Sequence, residues 1–199
     1  MPGNPPDLGN LLEVVYERVP GFRACSARPP NTRPQFNSIM MKIDSPWLQE
    51  YFDEIHRAVS TSGVAEGLIE IRNIWSAAAA AGNKILFAGN GGSSAIASHC
   101  AVDLTKAAGL RSMTFNEVDL ITCFANDYGY SEWLVKAVEA YGDEGDVIVL
   151  ISSSGRSPNI LRAAEGSKAM GLSVITLSGF DSENPLREAG DITLWVDSQ

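Results

Sequence analysis

Two segments of this 199-residue chain gather glycine, serine and asparagine in the way an anion site needs. The first is Gly89-Asn90-Gly91-Gly92-Ser93-Ser94, which follows an apolar run ending at Ala88 and leads into a helical stretch holding His99. Its glycines let main-chain N–H groups approach a ligand, and Asn90, Ser93 and Ser94 add side-chain donors. A helix start at that point offers unpaired N–H groups and a partial positive charge, which suits a phosphate. The second segment is Ser152-Ser153-Ser154-Gly155-Arg156-Ser157-Pro158-Asn159, after the most apolar run of the chain. Ser157-Pro158 reads as an N-cap and first helical residue, and Ser152, Ser153, Ser154 and Ser157 put four hydroxyls around that helix start. A single loop of this kind could be a solvated turn with an ordinary cap. Two of them, after neighbouring strands, point to one sheet edge, the carboxyl edge where open α/β sheets bind ligands.

The rival is a dinucleotide fingerprint. The first segment gives G-x-G-x-x-S, with Ser94 where the last glycine should stand. Glu117, the candidate ribose acid, lies well beyond the usual spacing of about 20 residues. A monophosphate fits better.

Proton chemistry has one pair of candidates next to the first loop. His99 and Asp103 are four apart on the helix that begins there, so they share a face. They could transfer protons, ligate a metal together, or form a polar pair on a helix surface. Asn126-Asp127 could bond sugar hydroxyls or simply make a turn with Gly129. His56, among Ile55 and Val59, reads as structural or as an interface residue. Cys25, Cys100 and Cys123 form no CxxC pair and are odd in number, so they read as reduced core residues of an intracellular protein.

The elements that must position these groups alternate. Short β-branched runs at 84–88, 112–115, 147–152, 173–177 and 192–196 read as strands, and 93–108, 130–141 and 159–170 as helices. That alternation predicts a parallel sheet with helices on both faces. Upstream, Ser45-Pro46 starts a helix with Leu48, Tyr51, Phe52, Ile55 and Val59 at helical spacing, and a second helix covers 64–80 with Leu68, Ile71, Ile74 and Trp75 inward. Residues 1–40 hold seven of the ten prolines and read as a poorly ordered extension. The domain proper is then 41–199.

Composition narrows the partners. Fifteen basic against 24 acidic residues leave a formal net charge of -9, which argues against non-specific nucleic-acid binding and against docking on an anionic membrane. An anionic ligand must be held locally, by backbone N–H groups and hydroxyls. Neither a membrane-spanning run nor a signal peptide is expected, and the expected compartment is the cytoplasm.

GNGGSS at 89–94 followed by His99, FANDYGY at 124–130 and SSSGRSPN at 152–159 together resemble the SIS (sugar isomerase) domain. Within it they resemble the sedoheptulose 7-phosphate isomerases, also called phosphoheptose isomerases, over residues 45–199. The resemblance implies a three-layer α-β-α sandwich around a five-stranded parallel sheet, preceded by N-terminal helices. It implies a cytoplasmic homotetramer that converts sedoheptulose 7-phosphate to a heptose 7-phosphate for the heptose of lipopolysaccharide and other surface glycans. Ser93, Ser152, Ser154 and Ser157 would hold phosphate, while Asn90, Gly91, Gly92, Asn126 and Asp127 would line the sugar site. His99 would sit in the sugar site or bind zinc, with Asp103 as base and second metal donor; no nucleotide cofactor is implied. Two departures stand out. The family base is a glutamate where this chain has Asp103, and the family carries a Gln and a His on a helix after the fifth strand, whereas this sequence stops at Gln199. Both departures leave a second expectation, a non-catalytic phosphosugar-binding module acting as sensor or docking platform.

Overall fold

The apolar runs pair into one sheet of five parallel strands in the order β2-β1-β3-β4-β5. The structure, a computed structural model, describes residues 45–61 and 63–198. The extension expected at 1–40 therefore lies outside the described residues. The strands are β1 (Ile85–Gly89), β2 (Ser112–Thr114), β3 (Val147–Ser152), β4 (Ser173–Ser178) and β5 (Ile192–Trp195). Every residue of β1 and β3 is buried. That is why these two strands read as unbroken apolar runs: helices cover both of their faces. The edge strand β2 is only half-buried.

Alternate residues of each strand face opposite layers. Ile85, Phe87, Val147, Val149, Ile151 and Ile175 form one core with Ile71 and Ala78 of α2 (Val64–Ala80) and Ala97 and Ala101 of α3 (Gly92–Ala107). Leu86, Ala88, Ile148, Leu150 and Val174 face the other core, built with α5 (Trp133–Tyr141), α6 (Pro158–Ala169) and α7 (Pro185–Ala189). The three-layer sandwich expected from the alternation is what forms. Helix α1 (Ser45–Val59) precedes it and buries none of its residues.

Three local readings are corrected. Asn126 and Asp127 do not make the turn themselves; they end a helix, α4 (Val118–Tyr128), whose Leu120, Ile121 and Phe124 pack on the core. The turn comes at Gly129, whose φ of 87° suits glycine and whose N–H closes on the Ala125 carbonyl at 3.0 Å. Leu68 of α2, expected inward, is 54% exposed, because α2 turns Ile71 and Ala78 to the sheet instead. Helix α7 was not expected. It starts as Asn-Pro starts a helix: Pro185 fills the first position and the Asn184 side chain accepts from the Arg187 N–H at 3.1 Å.

Candidate phosphosugar site at the strand switch point

Strand β1 lies between β2 and β3, so the chain order reverses at the β1/β3 boundary. Open α/β sheets place ligands outside the carboxyl ends of the strands at such a reversal. Gly89 is in register with Ile151, so the two candidate loops leave the sheet side by side. The topology thus unites what the sequence showed as separate segments.

Each loop is shaped by a glycine that cannot be replaced freely. A Cβ on Gly89 would stand 2.7 Å from the Ser93 main chain and Cβ, so the absence of a side chain lets the loop fold back on the start of α3. The Ser93 N–H then donates to the Asn90 carbonyl at 3.0 Å. In the second loop Gly155 has a φ of 60°, and a Cβ there would collide with the side chain of Asn184. Asn184 is fully buried and donates to the Ser178 hydroxyl at 3.1 Å and the Asp181 carbonyl at 2.8 Å. The connection from β4 to α7 thus holds the serine loop from behind. Asp181 adds an ion pair to Arg156 at 2.6 Å. Its carboxyl pKa is held below the usual range by the Glu183 N–H first and by Arg156 second.

The helix starts behind these loops are electrostatically open. Neither α3 nor α6 has a side-chain cap or an acidic residue in its first turn. Helices α2 and α7, by contrast, carry Glu66 and Glu188 there; at α2 the Glu66 carboxylate accepts from the Gly63 N–H, and at α7 the Asn184 side chain accepts from the Arg187 N–H. Open N–H groups and an uncompensated dipole at two adjacent helix starts suit an anion. Around it, Ser152 is buried, Ser93, Ser154 and Ser157 are half-buried, and Ser153, Gly91 and Gly92 are exposed. The Ser152 and Ser157 hydroxyls lie 3.3 Å apart, and the Ser154 hydroxyl accepts from the Arg156 N–H at 3.3 Å. Ser152 and Ser157 sit together, each with a hydroxyl proton to turn toward a phosphate.

Asn90 is braced across the gap between the loops. It exchanges two hydrogen bonds of 2.9 Å with Asn159, which is 1% exposed, and it accepts a third from the Tyr130 hydroxyl at 3.2 Å. Neither Tyr130 nor Asn159 was singled out from the sequence. One signal was available: Asn159 falls on the inward row of α6 with Ile160, Ala163, Ala164 and Ser167. A buried amide on an apolar row needs a partner. Asn126 and Asp127 stand in the last, exposed turn of α4, where the Asn126 amide donates to Asp127 at 3.0 Å. From that segment it is Tyr130 that reaches the loops.

His99 and Asp103 do face the same way, with His99 Nε2 3.4 Å from Asp103 Oδ2. Their side chains are 80% and 63% exposed, so the pair is held by its helix and not by its surroundings. Catalytic zinc is held by about three protein ligands. Among the described residues no group of three His, Cys, Asp or Glu side chains is placed to hold a metal. The described residues alone therefore do not fit zinc. Among them, too, no helix is long and apolar enough to cross a membrane.

Comparison with known proteins agrees with this geometry. The SIS domain family model matches residues 50–179. A phosphoheptose isomerase of Fusobacterium nucleatum is 37% identical over 145 residues, which are 70% of this chain and 71% of that protein. A phosphoheptose isomerase of Yersinia enterocolitica is 44% identical over 106 residues, 51% of this chain, and there the match spans little more than half, 55%, of the relative's length. The solved structure of a phosphoheptose isomerase from Francisella tularensis superposes with a TM-score of 0.70 at 31% identity, over 78% of this chain and 87% of that one. With a sheet of this order, two phosphate-type loops at its switch point and these matches, the chain belongs to the SIS domain family and is similar within it to the phosphoheptose isomerases.

Proposed function

We propose that this protein is an aldose–ketose isomerase that converts sedoheptulose 7-phosphate to a heptose 7-phosphate. The observation that carries the proposal is the pair of uncapped helix starts converging at the β1/β3 switch point, with the Ser152 and Ser157 hydroxyls between them. They suit one compact dianion. The phosphate anchors the substrate and the sugar extends toward Asn90 and along α3 to His99 and Asp103. Asp103 takes the proton from the hydroxyl-bearing carbon beside the carbonyl, giving an enediolate; the proton of that carbon's hydroxyl passes to the former carbonyl oxygen, and Asp103 returns its proton to the former carbonyl carbon, leaving the aldehyde. His99, at 3.4 Å, orients the carboxylate. The proton transfer rests on these side chains; zinc would need ligands beyond the two that the described residues offer.

Several finer features belong to the same reading. Leu48, Tyr51, Phe52, Ile55 and Val59 leave an apolar stripe on α1 exposed, and an unpartnered stripe of this kind supports assembly, as a homotetramer. Ile96 and Val102, also exposed on α3 beside His99 and Asp103, support a neighbouring subunit covering that face and excluding water. The product's destination is surface-glycan heptose, and the compartment is the cytoplasm. A second reading, a phosphosugar-binding module without turnover, is favoured by one observation: the base position holds the shorter Asp103, largely in solvent.

The test is incubation of the full-length protein with sedoheptulose 7-phosphate, with the aldose product followed by NMR. Turnover supports the isomerase. A protein that binds the ketose and never yields the aldose, with zinc supplied, selects the binding module.

A further inference from the structure

An amide oxygen accepts about two hydrogen bonds and an amide nitrogen donates two. On Asn90 the oxygen is full: Asn159 Nδ2 donates to it at 2.9 Å and the Tyr130 hydroxyl at 3.2 Å. The nitrogen is half used, donating once to Asn159 Oδ1 at 2.9 Å. One N–H of Asn90 is left over. Turning the Asn90 amide over against a fixed Asn159 would set oxygen against oxygen and nitrogen against nitrogen across the pair, and would change the Tyr130 hydroxyl from donor to acceptor. Both braces are themselves fixed. Asn159 is 1% exposed, directly after the Pro158 that starts α6. The Tyr130 ring lies 6.5 Å from that of Trp133, which is 3% exposed.

We propose that Tyr130 and Asn159 are positioning residues that lock the Asn90 amide in one orientation, so that Asn90 meets the sugar of the bound phosphosugar only as a hydrogen-bond donor, to an acceptor oxygen. This rests on the phosphosugar reading of the site and adds a specificity rule to it. The position selects ligands with a carbonyl or hydroxyl oxygen able to accept at that point, and a bare phosphate does not need it. Tyr130 reaches Asn90 from the α4–α5 connection, and Asn159 from the serine loop's own helix, so the lock senses both walls of the site.

The experiment compares sedoheptulose 7-phosphate with inorganic phosphate by calorimetry on wild type, Tyr130→Phe, Asn159→Ala and Asn90→Asp, and records KM and kcat. Tyr130→Phe, at a 58% exposed position, keeps the ring and tests the lock even where Asn159→Ala fails to fold. It should weaken the sugar phosphate about fivefold to tenfold, the size of one neutral hydrogen bond, raise KM by a similar factor, and leave kcat and inorganic phosphate within about twofold. Asn90→Asp keeps two acceptor oxygens and loses every donor, and should cost the sugar phosphate at least as much as the loss of the lock. Unchanged sugar-phosphate binding in Asn90→Asp would mean that the position accepts rather than donates and would overturn the proposal. Equal losses for both ligands in Tyr130→Phe would reduce the tyrosine to a loop brace and overturn it as well, as would no loss for either. A wild-type protein that binds neither ligand defeats the phosphosugar reading itself, and this proposal with it.

Discussion

Helix α3 begins among hydrogen-bonded, half-buried groups and, about two and three turns further on, carries His99 and Asp103 into open solvent. The two regions lie on one helix and are built differently. At its start the Gly89–Ser94 loop is tied to Asn159 and Tyr130, and the serine loop beside it accepts the Gly179 and Leu186 N–H groups on its Ser153 and Gly155 carbonyls, at 2.9 and 3.1 Å. At His99 and Asp103 one contact of 3.4 Å joins two side chains that are 80% and 63% exposed. The loops of the proposed phosphate site are thus preformed in a single chain. A carboxylate in water is a weak general base, and its strength as a catalyst depends on dry, fixed surroundings. The difference implies that binding and turnover can be separated by substitution, and that turnover depends on whatever covers α3.

The sharpest break is at Asp103. Replacing it with Asn keeps the shape and removes the base, and should lower kcat by about 10²- to 10⁴-fold while the affinity for sedoheptulose 7-phosphate stays within about twofold. Ser157→Ala should do the reverse, weakening binding several-fold through one lost charge-assisted hydrogen bond with kcat little changed. Steady-state kinetics on both variants, with calorimetry for affinity, decides the matter. If Asp103→Asn lost affinity and Ser157→Ala lost kcat alone, the division between the two regions would be wrong.

The preformed region can be broken from behind. Gly155→Ala forces a side chain onto a residue with φ of 60°, directly against Asn184. Left-handed backbone costs a non-glycine residue about 1 kcal/mol or more, and crowding a packed site adds about 1–3 kcal/mol. Chemical denaturation should therefore show a loss of about 2–4 kcal/mol, and phosphate affinity should fall with it because the serine loop moves. Asp103→Glu, in the exposed region, should leave stability within about 0.5 kcal/mol. Comparable losses in both variants would erase the contrast.

How much of this was legible beforehand follows the same division. Strands β1 and β3 announced themselves because burial on both faces leaves apolar residues all along them up to the loops, Ser152 at the end of β3 already belonging to the site. The two loops were visible because glycine and hydroxyl residues gather at strand ends, where the structure brings them side by side. Asn90 was visible as a polar loop residue, but its oxygen being taken by Asn159 was not, because that pairing depends on the β1–β3 register, which sequence spacing does not specify. Helix α4 was hidden by its own ending, since Asn126 and Asp127 look like turn residues and yet fill its last turn before Gly129. The openness of His99 and Asp103 was also hidden: the four-residue spacing gives a shared face and says nothing about what lies opposite.

The smallest expected effect lies at the far end of the sheet, and it isolates the site by contrast. At the amino ends of β1 and β3, Lys84 lies 2.6 Å from both Asp143 and Asp146, and Asp146, 1% exposed, also accepts the main-chain N–H groups of Lys84 and Asp143 at 2.9 Å. Burial alone would lower the Lys84 pKa, but the hydrogen bonds and charges of the two aspartates outweigh it and raise it above 10.5. The hydrogen bond and charge of Lys84 in turn hold the Asp143 carboxyl below 3.8. A raised lysine stabilises the fold fully below its unfolded pKa and loses that contribution only as pH climbs past 10.5. A depressed carboxylate stabilises above its unfolded pKa and loses its contribution as pH falls below 3.8. Between about pH 5 and 9 this cluster should therefore be indifferent to pH. Asp143, with its side chain 79% exposed, should add only a shallow acid-side loss. Asp143→Asn, which leaves Lys84 paired with Asp146, should abolish that acid-side loss, seen as a flatter Tm against pH between about 2 and 4, while the protein at neutral pH keeps its kcat and its phosphate affinity. A change in either constant would mean that the two ends of the sheet are mechanically coupled, and that the loops at the switch point are held in part by the ion pairs at the opposite edge.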